Sequence, residues 1–219
     1  MGAVEKPRDR RVKRILVALA AAALPLLASA ADFQQGKDYQ MTLKASDSQG
    51  KTITVEEFFW YGCPHCHALE PGLDKWIAKL PKDVTFVRVP NSLGRDVGVL
   101  HSKTYYAAES MNILPKVHQP IFDALHADPQ SLITVDAMAA FVAKTAGVPA
   151  AAFADTVNSF FVDNQVRRAQ QLAQDYGVTG TPTLVVDGRW LVMAKQPPDD
   201  MLKVADFLID RARKERKKK

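Results

Sequence analysis

The sequence predicts an α/β fold in which one sheet has helices on both sides and carries an inserted, all-helical subdomain. Runs rich in β-branched and aromatic residues, which favour strands, occur at 53–61, 84–89 and 183–192. Residues 96–176 show apolar residues at helical spacing and no strand pattern. Parallel strands joined by a helix, followed by a hairpin and a last helix, form one sheet covered on both sides.

The first half of the chain is predicted to run strand, strand, helix, strand. Residues 39–43 alternate weakly, and residues 53–61 have the composition of a central strand. Apolar residues at helical spacing over 69–80 predict a helix that Pro71 should bend. The next strand is predicted at 84–89.

The second half is predicted to contain the helical insertion and then a hairpin. Asp187-Gly188 lies between two strand-like runs, and that dipeptide is a strong signal for a two-residue hairpin loop. The insertion has its own apolar faces and should pack over one edge of the sheet. Two helices of the insertion are recognised by their apolar faces, one with Val135, Met138 and Val142 and the other with Val162, Val166, Ala169, Ala173 and Tyr176. The strands are predicted at 183–186 and 189–192. The last helix has Met201, Ala205, Leu208 and Ala212 on its apolar face.

The N-terminus has the organisation of a secretory signal peptide. A basic stretch precedes an apolar run from Ile15 to Leu27, and the small residues Ala28-Ser29-Ala30 follow. The run has 13 residues, well short of the ~20 that cross a bilayer, and an uncleaved membrane anchor is the alternative. We therefore predict cleavage after Ala30 and export to the periplasm.

Length and composition are those of a soluble globular protein with one domain and an insertion. The chain has 219 residues, of which 47% are hydrophobic and 24% are charged. The predicted domains are a signal peptide at 1–30, a sheet domain formed by 31–95 and 177–219, and the inserted helical subdomain at 96–176.

The formal net charge of +5 is concentrated at the two ends of the chain. Residues 1–30 carry +4 and residues 211–219 carry +6, which leaves residues 31–210 at −5. A nucleic-acid-binding domain has a basic face on its folded part. We therefore expect no nucleic-acid partner and interpret the C-terminal lysines as a solvated tail.

The two cysteines, Cys63 and Cys66, form a Cys-Pro-His-Cys motif directly after a predicted strand, at the start of a helix. There the free backbone N–H groups and the helix dipole stabilise a thiolate at Cys63. Pro64 costs no hydrogen bond at an early helical position, and His65 adds a donor or a positive charge. Such surroundings lower a cysteine pKa to roughly 3.5–7.5 and make the oxidised pair a disulfide donor.

Three other uses of this motif are open at this point. Two nearby cysteines in an exported chain could form a structural disulfide. Cys63, His65, Cys66 and His67 could bind zinc, although they crowd one turn and have no second ligand pair elsewhere in the sequence. Cys-Pro-His-Cys-His also matches the attachment signature of c-type haem.

Two segments resemble signatures of the DsbA family of bacterial periplasmic disulfide oxidoreductases. Residues 57–66 (EFFWYGCPHC) resemble its active-site strand and motif, and residues 177–183 (GVTGTPT) resemble its loop with a cis-proline. The resemblance extends over residues 33–210 and implies a thioredoxin-like fold with the helical insertion in its usual place. A low cysteine pKa and an oxidising disulfide are known properties of that family. The position of Cys63 at a helix N-terminus gives the physical reason for these properties and is not independent evidence for them.

The resemblance implies a role for each matching residue. Cys63 is implied to be the exposed cysteine that a substrate thiolate attacks, and Cys66 its buried partner. Thr181 and Pro182 are implied to lie beside the pair and to present backbone groups to an extended substrate segment. Glu57 is implied to be the buried acid beneath Cys66 and a proton acceptor.

The resemblance implies no cofactor and two kinds of partner. These are unfolded exported proteins with free cysteines, and a quinone-linked inner-membrane reoxidase of the DsbB type. A disulfide isomerase or reductase of the same fold is the alternative function. Those enzymes are usually dimers with an additional domain, for which this chain has no spare residues, so we expect a monomeric oxidase.

One position departs from the family pattern. In the segment 80–89, Arg88 stands where the family commonly has a lysine partner for the buried acid. Because arginine stays charged, proton handling would fall to Glu57 and water; a plain strand-edge role for Arg88 is the alternative. The remaining expectations are a solvent-exposed His67 at the rim of the site, and surface or packing roles for His101, His118 and His126.

Overall fold

The computed structural model describes residues 1–3, 33–45, 52–128, 131–193 and 197–217. The signal peptide predicted at 1–30 lies almost entirely outside the described residues, and so does the end of the lysine tail. In the part of the chain that is described, no helix is both long and apolar enough to cross a membrane.

Strands and helices follow each other in the order that the sequence predicts. The strands are β1 (Gln40–Met41), β2 (Ile53–Phe59), β3 (Val84–Pro90), β4 (Thr183–Val186) and β5 (Trp190–Met193). The helices are α1 (Pro64–Ile77), α2 (Asp96–Ser110), α3 (Leu114–Ala127), α4 (Val135–Ala146), α5 (Ala150–Val157), α6 (Phe160–Tyr176) and α7 (Pro198–Arg216).

The strands form one mixed sheet in the order β1-β5-β4-β2-β3. β2 and β3 are parallel and joined by α1, as parallel neighbours require a crossover. β4 runs antiparallel to β2 and to β5, and β1 runs antiparallel to β5. The carboxyl ends of β2 and β3 and the start of β4 therefore meet at one end of the sheet.

Two apolar cores lie on the two faces of this sheet. α1 and α7 cover the face on which Val55, Leu184 and Trp190 are buried. Helices α2–α6 cover the other face, around Phe58 and Val185. Because successive strand residues point to opposite faces, neighbours such as Leu184 and Val185 enter different cores.

Helices α4 and α6 begin and end at residues suited to those positions. The hydroxyls of Thr134 and Ser159 accept hydrogen bonds from backbone N–H groups of the first turn. Gly147 and Gly177 end the helices with φ of +76° and +77°, a conformation that glycine adopts without strain. Gly177 thereby returns the chain from α6 toward the start of β4.

The predicted fold class is confirmed, and three local expectations are wrong. β2 is two residues shorter than predicted because a turn follows, in which the N–H of Cys63 donates to the carbonyl oxygen of Trp60 (2.9 Å). The hairpin loop has three residues rather than two, because Val186 pairs with Trp190. The helical insertion packs on a face of the sheet rather than over an edge, since its core includes Phe58 of β2.

Gly98 in α2 packs closely against the loop that follows β3. A Cβ at this position would lie 2.6 Å from the carbonyl oxygen of Ser92. We expect Gly98→Ala to lower the free energy of unfolding by about 1–3 kcal/mol, although alanine gains about 1 kcal/mol in helix propensity. Chemical denaturation measures the difference.

Gly180→Ala is the matched control, because a Cβ there meets nothing within 4 Å. Its stability should stay within about 0.5 kcal/mol of the wild-type value. Equal stability of the two variants would show that the backbone at Ser92 relaxes without cost.

Candidate active site

The Cys-Pro-His-Cys motif lies where β2 is followed by α1. Cys63 takes the N-cap position of α1 with extended backbone angles (φ −93°, ψ 115°), and Pro64 is the first residue of the helix. The first turn of α1 contains no acidic residue. The sulfur of Cys63 is therefore placed at the positive end of the helix, where negative charge is stabilised.

Both cysteines are free thiols in this structure, and their surroundings differ. The pKa of Cys63 is lowered to about 5, and the largest cause is a hydrogen bond from the thiol of Cys66. Burial acts in the opposite direction and raises this pKa. Hydrogen bonds from Thr181 and from the N–H groups of Cys66 and His65 lower it further. Burial, followed by the hydrogen bond and the charge of Cys63, raises the pKa of Cys66 far above its ordinary value. At neutral pH the reduced pair therefore holds one thiolate and one thiol.

The loop before β4 lies against Cys63. Its Sγ is 3.3 Å from the carbonyl oxygen of Thr181, and the Thr181–Pro182 peptide bond is cis. The hydroxyl of Thr183 donates to the carbonyl oxygen of Gly180 (2.8 Å) and fixes the loop. Cys63 is only 7% exposed, so the exposed sulfur that the resemblance implies is largely covered, although it is more accessible than its fully buried partner. The side chains of the other two motif residues, by contrast, are exposed.

Glu57 lies on β2 with no exposed surface. It is in register with Arg88 of β3, whose Nε lies 3.4 Å from Oε2 of Glu57. Among the described residues, neither carboxylate oxygen of Glu57 accepts a hydrogen bond. Burial and the negative charge of Glu70 raise the pKa of Glu57 to about 8, against the opposing charge of Arg88. Glu57 is therefore mostly protonated at neutral pH, within electrostatic range of both cysteines.

Arg88 lies among three carboxylates and is not a plain strand-edge residue. It forms an ion pair with Glu57 without a hydrogen bond, and it donates hydrogen bonds to Oε2 of Glu70 (2.8 Å) and to Oδ1 of Asp74 (3.1 Å). Its side chain is 17% exposed. Arg88 was expected at the site from the sequence, whereas Glu70 was not. Glu70 nevertheless lies four residues after Cys66, a spacing that places both on one face of α1.

Glu70 also contacts a histidine from the helical insertion. Its burial raises the pKa, but the neighbouring imidazole of His118 and the charge of Arg88 outweigh burial and hold the pKa of Glu70 below its ordinary value. Nε2 of His118 lies 3.6 Å from Glu70, and Nδ1 forms a 2.8 Å hydrogen bond with the hydroxyl of Tyr61. His118 therefore connects α3 to the acidic residues of the site, a role that sequence reasoning missed.

The other histidines have specific partners as well. His67 is not freely solvated: its Nε2 lies 2.8 Å from Oδ1 of Asp123, and its ring stacks on that of His126 with 4.5 Å between the centroids. His101 is buried and accepts a hydrogen bond from the indole of Trp60 (3.0 Å). Burial lowers the pKa of His101 to about 4, so its ring is neutral at pH 7.

The sheet is mixed and covered on both faces, a Cys-x-x-Cys pair lies at a helix start, and a cis-proline loop lies against that pair. Together these features define a thioredoxin-like thiol–disulfide oxidoreductase. Residues 89–205 match the family of DSBA-like thioredoxin domains. The chain belongs to the DsbA family of thiol:disulfide interchange proteins, which confirms the resemblance.

Individual proteins are similar over most of the chain. The thiol:disulfide interchange protein DsbA of Pseudomonas aeruginosa is 40% identical over 196 residues, which cover 88% of this chain and 92% of that protein. DsbA of Azotobacter vinelandii is 39% identical over 84% of this chain and 87% of its own length. The crystal structure of Pseudomonas aeruginosa DsbA superposes with a TM-score of 0.79 at 40% identity, covering 85% of this chain and 97% of that chain.

Membership in this family favours disulfide chemistry over haem or zinc at the motif. Within the described ranges, no group of three or more His, Cys, Asp and Glu side chains could hold a metal ion. His67, which completes the haem signature, is instead paired with Asp123 and stacked on His126.

Substitutions at position 66 separate the thiol donor from the other causes of the low pKa. We expect Cys66→Ala to raise the pKa of Cys63 by about one pH unit or more, because the largest stabilising hydrogen bond is lost. Cys66→Ser should keep most of the low pKa, because its hydroxyl still donates. The ultraviolet absorbance of the thiolate as a function of pH measures both variants. If the pKa of Cys63 is unchanged in Cys66→Ala, the Cys66 thiol does not stabilise the thiolate, and the helix N-terminus and the other neighbours of Cys63 account for its low pKa.

Proposed function

We propose that this protein is a dithiol oxidase that donates the Cys63–Cys66 disulfide to unfolded proteins with free cysteines. The observation that carries the proposal is the pKa of about 5 at Cys63, beside a partner whose pKa is raised. A thiolate stabilised in the reduced state, and absent from the disulfide, makes the oxidised protein the better electron acceptor. This favours an oxidase over a reductase of the same fold.

The first step is attack of a substrate thiolate on the sulfur of Cys63. The bond between Cys63 and Cys66 breaks, and Cys66 leaves with the electron pair. Because the pKa of Cys66 is high, its sulfur takes up a proton. Glu57, protonated below about pH 8 and within electrostatic range, is the proposed donor, and water restores its proton.

The second step releases the product. A second substrate thiolate attacks the substrate sulfur of the mixed disulfide, and Cys63 leaves as a thiolate. A low pKa makes Cys63 a good leaving group. Two electrons have then passed to the enzyme, one proton stays on Cys66, and the other proton of the substrate dithiol goes to solvent.

Thr181 and Pro182 are the proposed contact for the substrate backbone. The carbonyl oxygen of Thr181 lies against the reactive sulfur, so an extended segment that forms the mixed disulfide runs beside this loop. Strand-like pairing with the loop binds a substrate through its backbone, independently of most side chains. Such binding suits an enzyme with many unfolded substrates.

The proposed compartment is the periplasm, after cleavage of the signal peptide following Ala30. Disulfides form and persist there, and an oxidase is useful only in such a compartment. Each turnover leaves the enzyme reduced, so a second partner must remove two electrons. A quinone-linked membrane oxidase of the DsbB type is the proposed partner, in keeping with the family.

Alanine substitutions of the two cysteines test the order of attack. Cys63→Ala should abolish oxidation of a reduced, unfolded protein, because the attacked sulfur is missing. Cys66→Ala cannot form the disulfide that oxidises a reduced substrate, so it should also be inactive as an oxidase. Given an unfolded protein that already carries a disulfide, however, its Cys63 thiolate should attack that disulfide, release one substrate thiolate and accumulate as a mixed disulfide, because no thiol at position 66 displaces the bound substrate. Non-reducing electrophoresis after acid quenching detects these species, and Cys63→Ala serves as the matched control. Full activity of Cys63→Ala would refute the mechanism.

The low pKa of Cys63 also makes stability depend on pH in the reduced protein alone. A depressed folded-state pKa contributes stability that is fully present above the unfolded pKa, near 9, and is lost as the pH falls through about 5. Glu57 is present in both redox forms, so to first order its effect cancels in their difference. At pH 7 the reduced form should be more stable by about 1–2 kcal/mol, because solvent screening keeps the gain below the full linkage value.

Thermal unfolding of both redox forms between pH 5 and pH 9 measures this difference. The difference in stability between the dithiol and the disulfide form should decrease steadily as the pH falls toward 5. A disulfide form that is as stable as the dithiol form at pH 7 would contradict the proposed direction of electron flow.

A further inference from the structure

A polar cleft of about 600 Å³ lies beside the cis-proline loop. One wall is the loop that follows β3, the second is the C-terminal half of α6, and the third is the segment that enters the cis-proline loop. Its volume is within the range of ligand-binding clefts. The side chains that line it are neutral, and they include Asn91, Ser92, Gln170, Gln174, Val178 and Thr179.

The position of Thr179 relates this cleft to the reactive sulfur. Thr179 precedes Thr181 by two residues, and the carbonyl oxygen of Thr181 lies 3.3 Å from Sγ of Cys63. Two residues of extended chain span about 7 Å. Because the backbone bends at 180–182, Thr179 lies no farther than this from Thr181, and a substrate residue about two positions from the cysteine bound at Cys63 is within reach of the cleft.

The wall after β3 is held rigidly against the strand that carries the motif. The N–H of Asn91 donates to the carbonyl oxygen of Phe59 (2.7 Å), four residues before Cys63. The side chain of Asn91 accepts from the N–H of Leu93 (2.9 Å), and the hydroxyl of Ser92 accepts from the next N–H (3.3 Å). Leu93 has a φ of +50°, which is unfavourable for leucine and persists because these bonds fix the loop.

We propose that this cleft is a substrate subsite that binds a neutral, polar stretch of the polypeptide near its reactive cysteine. The proposal rests on the proposed dithiol oxidase function. The amides of Gln170 and Gln174 and the hydroxyl of Thr179 can donate to and accept from peptide groups and Asn, Gln, Ser or Thr side chains. A charged residue would lose water without gaining a counter-ion among the lining side chains.

The cleft also joins the two parts of the fold in one binding surface. Gln170 and Gln174 belong to α6 of the helical insertion, whereas the other two walls belong to segments adjoining β3 and β4. Nε2 of Gln170 lies 3.5 Å from the hydroxyl of Ser92, and this contact connects the wall formed by α6 to the wall formed by the loop after β3. The insertion would thereby contribute to the choice of substrate, in addition to covering the sheet.

The test compares three reductants of the oxidised wild-type enzyme. They are a two-cysteine peptide with Asn two residues before and after its first cysteine, the same peptide with Glu at those positions, and dithiothreitol. We expect the Asn peptide to be oxidised about tenfold faster than the Glu peptide, a difference that corresponds to about 1.4 kcal/mol. Dithiothreitol has no residues flanking its thiols that could occupy the cleft, so it reports on the thiol pair alone.

The variants are Gln170→Leu with Gln174→Leu, and Gln171→Leu as control. Gln171 lies on the same helix and is exposed, and its amide donates to Asp175 outside the cleft. The double variant should lose most of the preference for the Asn peptide and keep the wild-type rate with dithiothreitol. The control should keep both properties.

Three results would overturn the subsite. They are equal wild-type rates for the two peptides, an unchanged preference in the double variant, or a loss in the double variant that is equally large with dithiothreitol. Failure of the proposed function gives a different result, because the wild-type enzyme would then oxidise neither peptide, whatever its rate with dithiothreitol.

Discussion

The hydrogen bond from the Cys66 thiol to the sulfur of Cys63 is the interaction on which the chemistry of this site depends. It forms because Cys63 is the N-cap residue of α1 and Cys66 lies in the first turn of that helix, where its side chain is fully buried. The same contact lowers one pKa and raises the other, so the two shifts have a common cause. In the disulfide neither sulfur is charged and neither donates, so the stabilisation belongs to the reduced state alone.

Beneath this pair, one guanidinium is shared by more carboxylates than it can neutralise. Arg88 contacts Glu57, Glu70 and the more exposed Asp74, and its shortest contact is with Glu70. Burial, and after it the negative charge of Glu70, favours the neutral form of Glu57, the acid with the weaker contact to Arg88, so Glu57 keeps its proton to about pH 8. An arginine in this place can bind several carboxylates at once, because its planar fork has five donors. The result is a protonated acid close to a cysteine that must take up a proton when it leaves the disulfide.

The parts of the site that depend on local sequence were predictable, and those that depend on tertiary packing were not. A β-branched, aromatic run followed by Cys63 and an apolar helical pattern determines the strand and the thiol at the helix start, but not the turn that ends β2 at Phe59. The pairing of Glu57 with Arg88 follows from the parallel register of β2 and β3. His118 lies 48 positions after Glu70 in the chain, and no periodicity connects the two residues. The hairpin shows the same limit, because Asp187-Gly188 indicates the positive φ of its turn but not that Val186 pairs with Trp190.

The helical insertion contributes to the thiol pair itself. Although Leu69 and Leu73 of α1 pack in the core shared with α7, Cys63 and Cys66 belong to the core formed with the insertion. That core includes Phe122 of α3, whose ring lies 4.8 Å from that of Tyr61 between centroids. Burial is the largest cause of the high pKa of Cys66, and the hydrogen bond from its thiol is the largest cause of the low pKa of its partner. The insertion therefore helps to set the pKa values of both cysteines. In a thioredoxin-like sheet without the insertion, the same motif would be less buried and its two pKa values would differ from those found here.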